Sequence, residues 1–309
     1  MTSTAAPPVP APPRRATPAR RSRRQWRGWL FVAPFVLVFA LTFLAPIIYA
    51  FGLSLFRDQA FFGGTVFVGA DNYAQVLRDA KFWESFLRVL LFLVVQVPIM
   101  LLLALVAALA IDSARLHAAG FFRVVIFLPY AVPAVVAALM WGFMYGDHFG
   151  LAADLNHLLG TDAVKPLSDH WMLASIGNVV TWEFVGYNML IFYSALKVIP
   201  KELYEAASID GAGAFRTIAS VKLPALRGSI VIATIFSIIG SFQLFNEPNI
   251  MRTLAPNVIG TFYTPNMYAY NLSFGGQQYN YSATVAIVMG VITAVIAYVV
   301  QLRGTRKGM

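Results

Sequence analysis

Five stretches of this chain run for roughly 20 residues or more without an Asp, Glu, Lys or Arg, the length a helix needs to cross a bilayer. They are Gly28 to Phe56, Val89 to Ile111, Val124 to Gly146, Gly228 to Asn246 and Tyr281 to Leu302. A sixth stretch, WMLASIGNVVTWEFVGYNMLIFYSAL from Trp171 to Leu196, is interrupted only by Glu183 and predicts a spanning helix that carries a buried acid. The pattern therefore predicts an all-α polytopic membrane protein with six transmembrane helices, over about 29–56, 87–111, 124–146, 171–196, 228–246 and 281–302. Polar tails at 1–28 and 304–309 flank a single membrane domain, 29–303.

Composition agrees with the pattern. Of the 309 residues, 59% are apolar and 12% charged, against about 25% charged in soluble domains. The absence of cysteine excludes a disulfide framework and thiolate chemistry. The net charge of +9 does not point to nucleic acid, because the basic residues lie at the termini and between apolar runs rather than among aromatics on a groove. Their distribution instead orients the chain. An even number of spans puts both termini on one side, and most of the 23 Lys and Arg fall on that side, which should be cytoplasmic.

The N-terminal tail is rich in Pro, Ala and Arg without apolar periodicity, which predicts disorder through residue 28. Its twin arginines precede an apolar run too long for an export signal, with no small-residue cleavage site. In the third span, Pro129 and Pro133 of FLPYAVPAVVAALMWGF predict a packed kink.

Between the fourth and fifth spans lies a polar segment, 201–224, that includes EAASIDGAGAFRTIASVKLPAL. Pro200 near its start, acids in the first turn and the helix formers Glu205, Ala206 and Ala207 predict a short helix over Lys201 to Ala207. Asp210, Gly211 and Gly213 then break it, since glycine takes positive φ without steric cost. A second short helix follows through AFRTIASV and should end at Leu223 and Pro224. The product is a helix-turn-helix knob whose Ala206, Ala207, Ile209 and Phe215 suit a groove on a partner; by spacing alone an ordinary loop is equally compatible.

The spacing Glu205-Ala206-Ala207, three residues, Gly211, nine residues, Val221, Lys222, Leu223-Pro224 resembles the EAA motif of permease subunits in binding-protein-dependent ABC importers, with Val221 where that family usually has Ile. FVGADNY from Phe67, IPKELYEAASIDGAG and SFQLFNEP extend the resemblance to the sugar-importing branch, in particular to cellobiose-, lactose- and maltose-type permeases. The resemblance implies a coupling role for Glu205, Ala206, Ala207, Asp210, Gly211, Leu223 and Pro224, which would dock the loop on a cytoplasmic ATPase subunit. It also implies a heterodimer with a second permease subunit, two copies of the ATP-binding subunit, an external or lipid-anchored sugar-binding protein, and a place in the bacterial cytoplasmic membrane among its lipids. ATP and Mg would sit on the ATPase partner, with no cofactor on this chain.

The residues also suggest a path for the solute. Glu183 shares a helical face with Tyr187, Leu190 and Ser194 and follows Trp182, so this face offers hydroxyl partners and an aromatic surface. The fifth span adds Ser237, Ser241 and Gln243, with Asn246 and Glu247 at its outer end. By resemblance to the maltose-type permease, sugar contacts fall near Glu183, Phe184, Tyr187, Ser237, Ser241 and Leu244, although residue types differ at several of them. A packing seam for the two serines and a structural role for Glu183 remain open.

Other functions have less support. His117, His148, His157 and His170 all lie in predicted loops and lack metal-binding spacing, and no nucleotide-binding loop is present, so ATP hydrolysis should belong to a partner rather than to this chain. A secondary transporter or channel usually carries several midplane charges, whereas Glu183 alone lies clearly inside a span. An importer of a solute other than sugar remains the nearest alternative.

Overall fold

The apolar runs become helices, but two of them are not the simple spans that hydropathy predicts. The computed structural model describes residues 22–59, 64–113 and 116–306. The chain divides into two units, Met1–Tyr49 and Ala50–Met309. Helix α1 (Ser22–Phe39) runs through a π turn at Ala40–Leu44 into α2 (Ala45–Ser54), whose residues 50–54 fall in the second unit, and Phe39 stacks on both Phe35 and Phe43 along one face. The predicted disorder through residue 28 is corrected here: the helix starts at Ser22. Arg and Gln are good helix formers, and the last upstream breaker is Pro18. Residues 1–21 and 307–309 of the two predicted tails lie outside the described residues.

After α2 the second unit has a two-stranded antiparallel ribbon, β1 (Phe56–Asp58) with β2 (Thr65–Phe67), in which Phe56 faces Phe67. A short amphipathic helix, α3 (Asp71–Arg78), leads to α4 (Ala80–Asp112). Asp79 caps α4 by accepting from the Lys81 N–H at 2.9 Å, and its other oxygen accepts from the hydroxyls of Tyr268 (2.6 Å) and Tyr281 (2.7 Å). Burial pushes the Asp79 carboxyl up, but these bonds outweigh it and hold the group below its ordinary range. Burial and the same carboxylate push the Tyr268 hydroxyl up.

The third predicted span is not a kinked helix but a broken one. Helix α5 (Ala119–Phe127) tightens into a 3₁₀ turn at Leu128–Ala131, and α6 (Ala134–Met144) leaves at 98° to it. Pro129 and Pro133 each remove a donor from the ladder, and Val132, lying before a proline, is extended with ψ 129°. A second correction concerns Leu223 and Pro224. The helix does not stop there: α10 (Ala214–Thr217), to which α7 (Leu151–Leu159), α8 (Asp169–Lys197) and α9 (Lys201–Ile209) lead, passes through a π turn at Ile218–Lys222 straight into α11 (Leu223–Phe242). Leu223 N–H bonds back to Ile218 O, and the wider turn makes room for the proline ring that a regular α turn would clash with. The same device stands before Pro46, where Ala45 N–H reaches Ala40 O. Two short helices, α12 (Asn246–Leu254) and α13 (Pro265–Tyr270), then fold back before α14 (Tyr279–Arg306), which continues past the predicted end of the last span.

Among the described residues five helices are long and apolar enough to cross a membrane, and the bent pair makes six if it counts as one span, so the chain is a multi-pass membrane protein. Within the second unit α4 is the axis. Its buried residues, among them Phe82, Val89, Phe92, Gln96, Met100, Ala104 and Ala108, recur every three or four positions. They feed three clusters along its length: one with α3, α11, α13 and α14, one with α6, α8 and α12, and one with α8 and α11. Helix α8 meets the broken helix at Gly186, where a Cβ would overlap the backbone carbonyl of Ile126. Backbone cannot rotate away as a side chain can. Gly186→Ala should therefore destabilise the protein by about 1–3 kcal/mol, lowering its melting temperature in detergent. Gly290→Ala, where a Cβ meets nothing within 4 Å, should stabilise α14 by about 0.5–1 kcal/mol; equal melting temperatures for the two variants would contradict the close approach.

Candidate functional site

Where α8, α11 and the broken helix diverge, they leave a cavity of about 410 Å³ closed at one end by the turn into α12. Of the residues assigned from sequence to a solute path, Phe184, Tyr187, Ser237, Ser241, Gln243, Asn246 and Glu247 line it, as does Leu244. Two do not. Trp182 turns its ring edge-on to Trp141 at 5.9 Å and packs in the core. Glu183 is buried at 3% exposure, and neither carboxyl oxygen makes a hydrogen bond among the described residues. Its neighbour is a second buried carboxyl, that of Glu247, with which it can share a proton.

The common face predicted for Glu183, Tyr187, Leu190 and Ser194 is also divided. The last three line a second groove, of about 680 Å³, while Glu183 lies to one side beside α12. Seven- and eleven-residue steps put Leu190 and Ser194 only about 20° to either side of Glu183, so position along the axis of α8, not direction around it, separates Glu183 from this groove. Tyr187 and Tyr130 line both spaces. Their rings stack at 4.8 Å and 19°, with Phe184 edge-on to Tyr130 at 5.8 Å. The pair thus stands between the cavity at the α12 end and the groove that opens toward Val198 and Ser229.

Tyr130, Gln96 and Asn188 are lining residues that the sequence reading missed. Each left a signal: Tyr130 lies between two prolines, and the other two are amides within apolar runs. Gln96 donates to Thr181 Oγ1 at 3.2 Å, and its carbonyl oxygen is unpartnered among the described residues. Asn188 donates to Phe184 O at 3.0 Å and Ser241 to Ser237 O at 2.8 Å, so the Ser241 hydroxyl keeps only its acceptor side for a ligand. The lining combines aromatic faces with uncharged amides and hydroxyls, one acid and no Lys or Arg. It suits a neutral, polyhydroxylated ligand. Among the described residues no group of three or more His, Cys, Asp or Glu could hold a metal.

The knob occupies the far end of α8. Helix α9 ends at Ile209 with Asp210 as its C-cap, and Gly211 takes φ +70°, with Gly211 N–H bonding to Ser208 O at 3.0 Å and Ala212 N–H to Ala207 O at 2.9 Å. Gly213 does not need its freedom: its φ is −69°. Neither α9 nor α10 has a buried residue, and Ile209 and Phe215 are 87% and 84% exposed. Ala206 and Glu205 are exposed on the same helix, and Ala207 is half-buried. At its base, Asp112 binds Lys197 at 2.9 Å and Lys222 at 2.7 Å.

Residues 100–304 match the family model described as the binding-protein-dependent transport system inner membrane component. The chain is 32% identical to the lactose transport system permease protein LacF of Rhizobium radiobacter, over 92% of this chain and 96% of that one. It is 32% identical to the diacetylchitobiose uptake system permease protein NgcF of Streptomyces coelicolor, over 94% and 88% of the two chains. Identity is 30% with the arabinooligosaccharides transport system permease protein AraP of Bacillus subtilis, over 91% and 89%. Its fold is that of a chain in the crystal structure of a bacterial ABC transporter involved in the import of the acidic polysaccharide alginate, with a TM-score of 0.77 at 18% identity, covering 92% of this chain and 96% of that one.

Two buried carboxyls side by side disfavour carrying a charge each, whereas an amide at position 183 can donate to Glu247. Glu183→Gln should therefore raise the melting temperature in detergent at neutral pH. A lowered one would show that the carboxylate has a stabilising partner.

Proposed function

The chain belongs to the family of inner membrane components of binding-protein-dependent transport systems, and on that premise we propose that it is the permease subunit of an ABC importer for a neutral di- or oligosaccharide. The observation that carries the sugar reading is the cavity lining: Tyr130, Phe184 and Tyr187 offer flat faces to sugar C–H surfaces, while Gln96, Asn188, Ser237 and Gln243 offer uncharged hydrogen-bonding groups. Relatives named for lactose, diacetylchitobiose and arabinooligosaccharides support that class. The lack of a basic lining residue favours a neutral sugar over an acidic one.

The subunit spans the bacterial cytoplasmic membrane with both termini and the knob inside, as the excess of Lys and Arg on that side supports. It carries no cofactor and catalyses no reaction; ATP and Mg bind two copies of a cytoplasmic ATPase subunit. A second permease subunit completes the pathway, and an external binding protein delivers the sugar. The knob, with Ile209 and Phe215 outward, seats in a cleft of the ATPase. Glu205 pairs with a basic residue there, and Asp210 and Gly211 shape the turn. Leu223 and Pro224 join the knob to α11. ATPase closure drives a rigid-body rocking that opens the cavity first to one side of the Tyr130–Tyr187 pair and then to the other.

Two outcomes test this reading. Gly211→Val forces a β-branched residue to φ +70°, a strain of about 1–3 kcal/mol. We expect normal membrane insertion, weaker co-purification of the ATPase and loss of uptake; full uptake would sink the docking role of the turn. Tyr187→Phe, and more strongly Tyr187→Ala, should lower uptake while ATPase activity stimulated by the loaded binding protein persists. Wild-type uptake and sugar preference in both variants would move the path to other residues.

A further inference from the structure

The knob has no buried residue to hold it, yet it is not loose on its stalk. Lys197, the last residue of α8, precedes α9, and Lys222, in the π turn, follows α10. Both ammonium groups reach the one carboxyl of Asp112 at the end of α4: Lys197 Nζ bonds to Oδ1 at 2.9 Å and Lys222 Nζ to Oδ2 at 2.7 Å. Entry and exit of the knob are thereby tied to each other and to the central helix. The Asp112 and Lys222 side chains are only 10% and 14% exposed, so water screens this arm of the junction far less than an ordinary surface pair, whereas Lys197, at 52%, is partly in water.

Aromatic rings extend the junction both ways. Toward the knob, Lys222 Nζ lies 5.6 Å from the centroid of Tyr204, which is on α9 itself. Toward the membrane, Lys197 Nζ lies 5.1 Å from the ring of Tyr193, and the guanidinium of Arg123 lies 5.5 Å from the same ring. Arg123 is on α5, and the 3₁₀ turn that continues α5 carries Tyr130 against Tyr187. A contiguous set of contacts therefore leads from the knob helix, through one carboxylate, to the element that lines the cavity.

We propose that Asp112 is a positioning residue, the ionic joint that makes the knob a rigid extension of α4, α8 and α11, so that its displacement reaches the Tyr130–Tyr187 pair. The proposal rests on the docking role given to the knob above. Without the carboxylate, two ammonium groups now held together would repel. The knob would then tilt independently of the helices, and nucleotide hydrolysis would no longer be matched by movement at the cavity.

The test uses the complete transporter in proteoliposomes and reads the ratio of sugar taken up to ATP hydrolysed under loaded binding protein. Asp112→Asn should lower that ratio at least fivefold while the ATPase subunit still co-purifies, and Asp112→Glu should recover part of it. Lys222→Gln leaves Asp112 paired with Lys197 and strands no ammonium group, so it serves should Asp112→Asn fail to fold, and it should lower the ratio by a smaller factor. An unchanged ratio in Lys222→Gln and Asp112→Asn overturns the proposal. So does a parallel fall of uptake, hydrolysis and melting temperature, which would mark a purely structural ion pair. Phe215→Asp, on the exposed tip, tests the docking role alone: if the ATPase still co-purifies with it, that role fails regardless of how Asp112 behaves, and the joint has nothing to transmit.

Discussion

The fold depends on the contact of α4 along α8. Between helices in lipid there is no hydrophobic drive, because the tails outside are as apolar as the side chains within, so close packing must supply the attraction. Ala104 and Ala108 of α4 are fully buried in one cluster with Met189 and Phe192 of α8. Small residues on one helix thus accept large ones from the other. Farther along, Phe92 of α4 joins Met172, Ile176 and Val179 of α8, and near its start Phe86 stacks on Phe242 of α11 at 5.7 Å. The clusters built on this pair also take in residues of α3, α6, α11, α12, α13 and α14.

That axis also explains where the irregular backbone is tolerated. The 98° break between α5 and α6 leaves carbonyls that a continuous helix would have satisfied. The 3₁₀ turn recovers some of them, as in Val132 N–H to Pro129 O at 3.0 Å, and the turn borders the cavity rather than lying amid close-packed side chains. Gly186 lets α8 come against Ile126 at this point, and Tyr187 next to it receives the ring of Tyr130. The break, the glycine and the stacked tyrosines are thus parts of one arrangement.

The knob is built on the opposite principle. It exposes Ile209 and Phe215, buries nothing, and is held at its base by charge. A surface that must be offered to a partner cannot also be packed against its own core; an ion pair at the stalk fixes its direction and leaves its apolar residues free.

The sequence by itself determined the all-α membrane class, the positions of most spans and the turn at Gly211. These follow from local causes: apolar length, the cost of a charge in lipid, and the φ a residue type tolerates. Of the residues it offered for a solute path, Phe184, Tyr187, Ser237, Ser241, Gln243, Asn246 and Glu247 line one cavity. Tertiary structure alone decided that Glu183 and Trp182 turn away from that cavity, because which arc of α8 faces the cavity is settled by the neighbours that pack on its other sides. It decided that helix 3 is broken, since two prolines specify lost hydrogen bonds but not the angle at which the two halves find partners. It decided, too, that α10 runs on into α11, because a π turn relieves the clash that Pro224 would otherwise impose. And it alone brought Asp112 to Lys197 and Lys222, 85 and 110 positions away along the chain, a meeting that no local pattern encodes, because long-range contact depends on how α4, α8 and α11 pack.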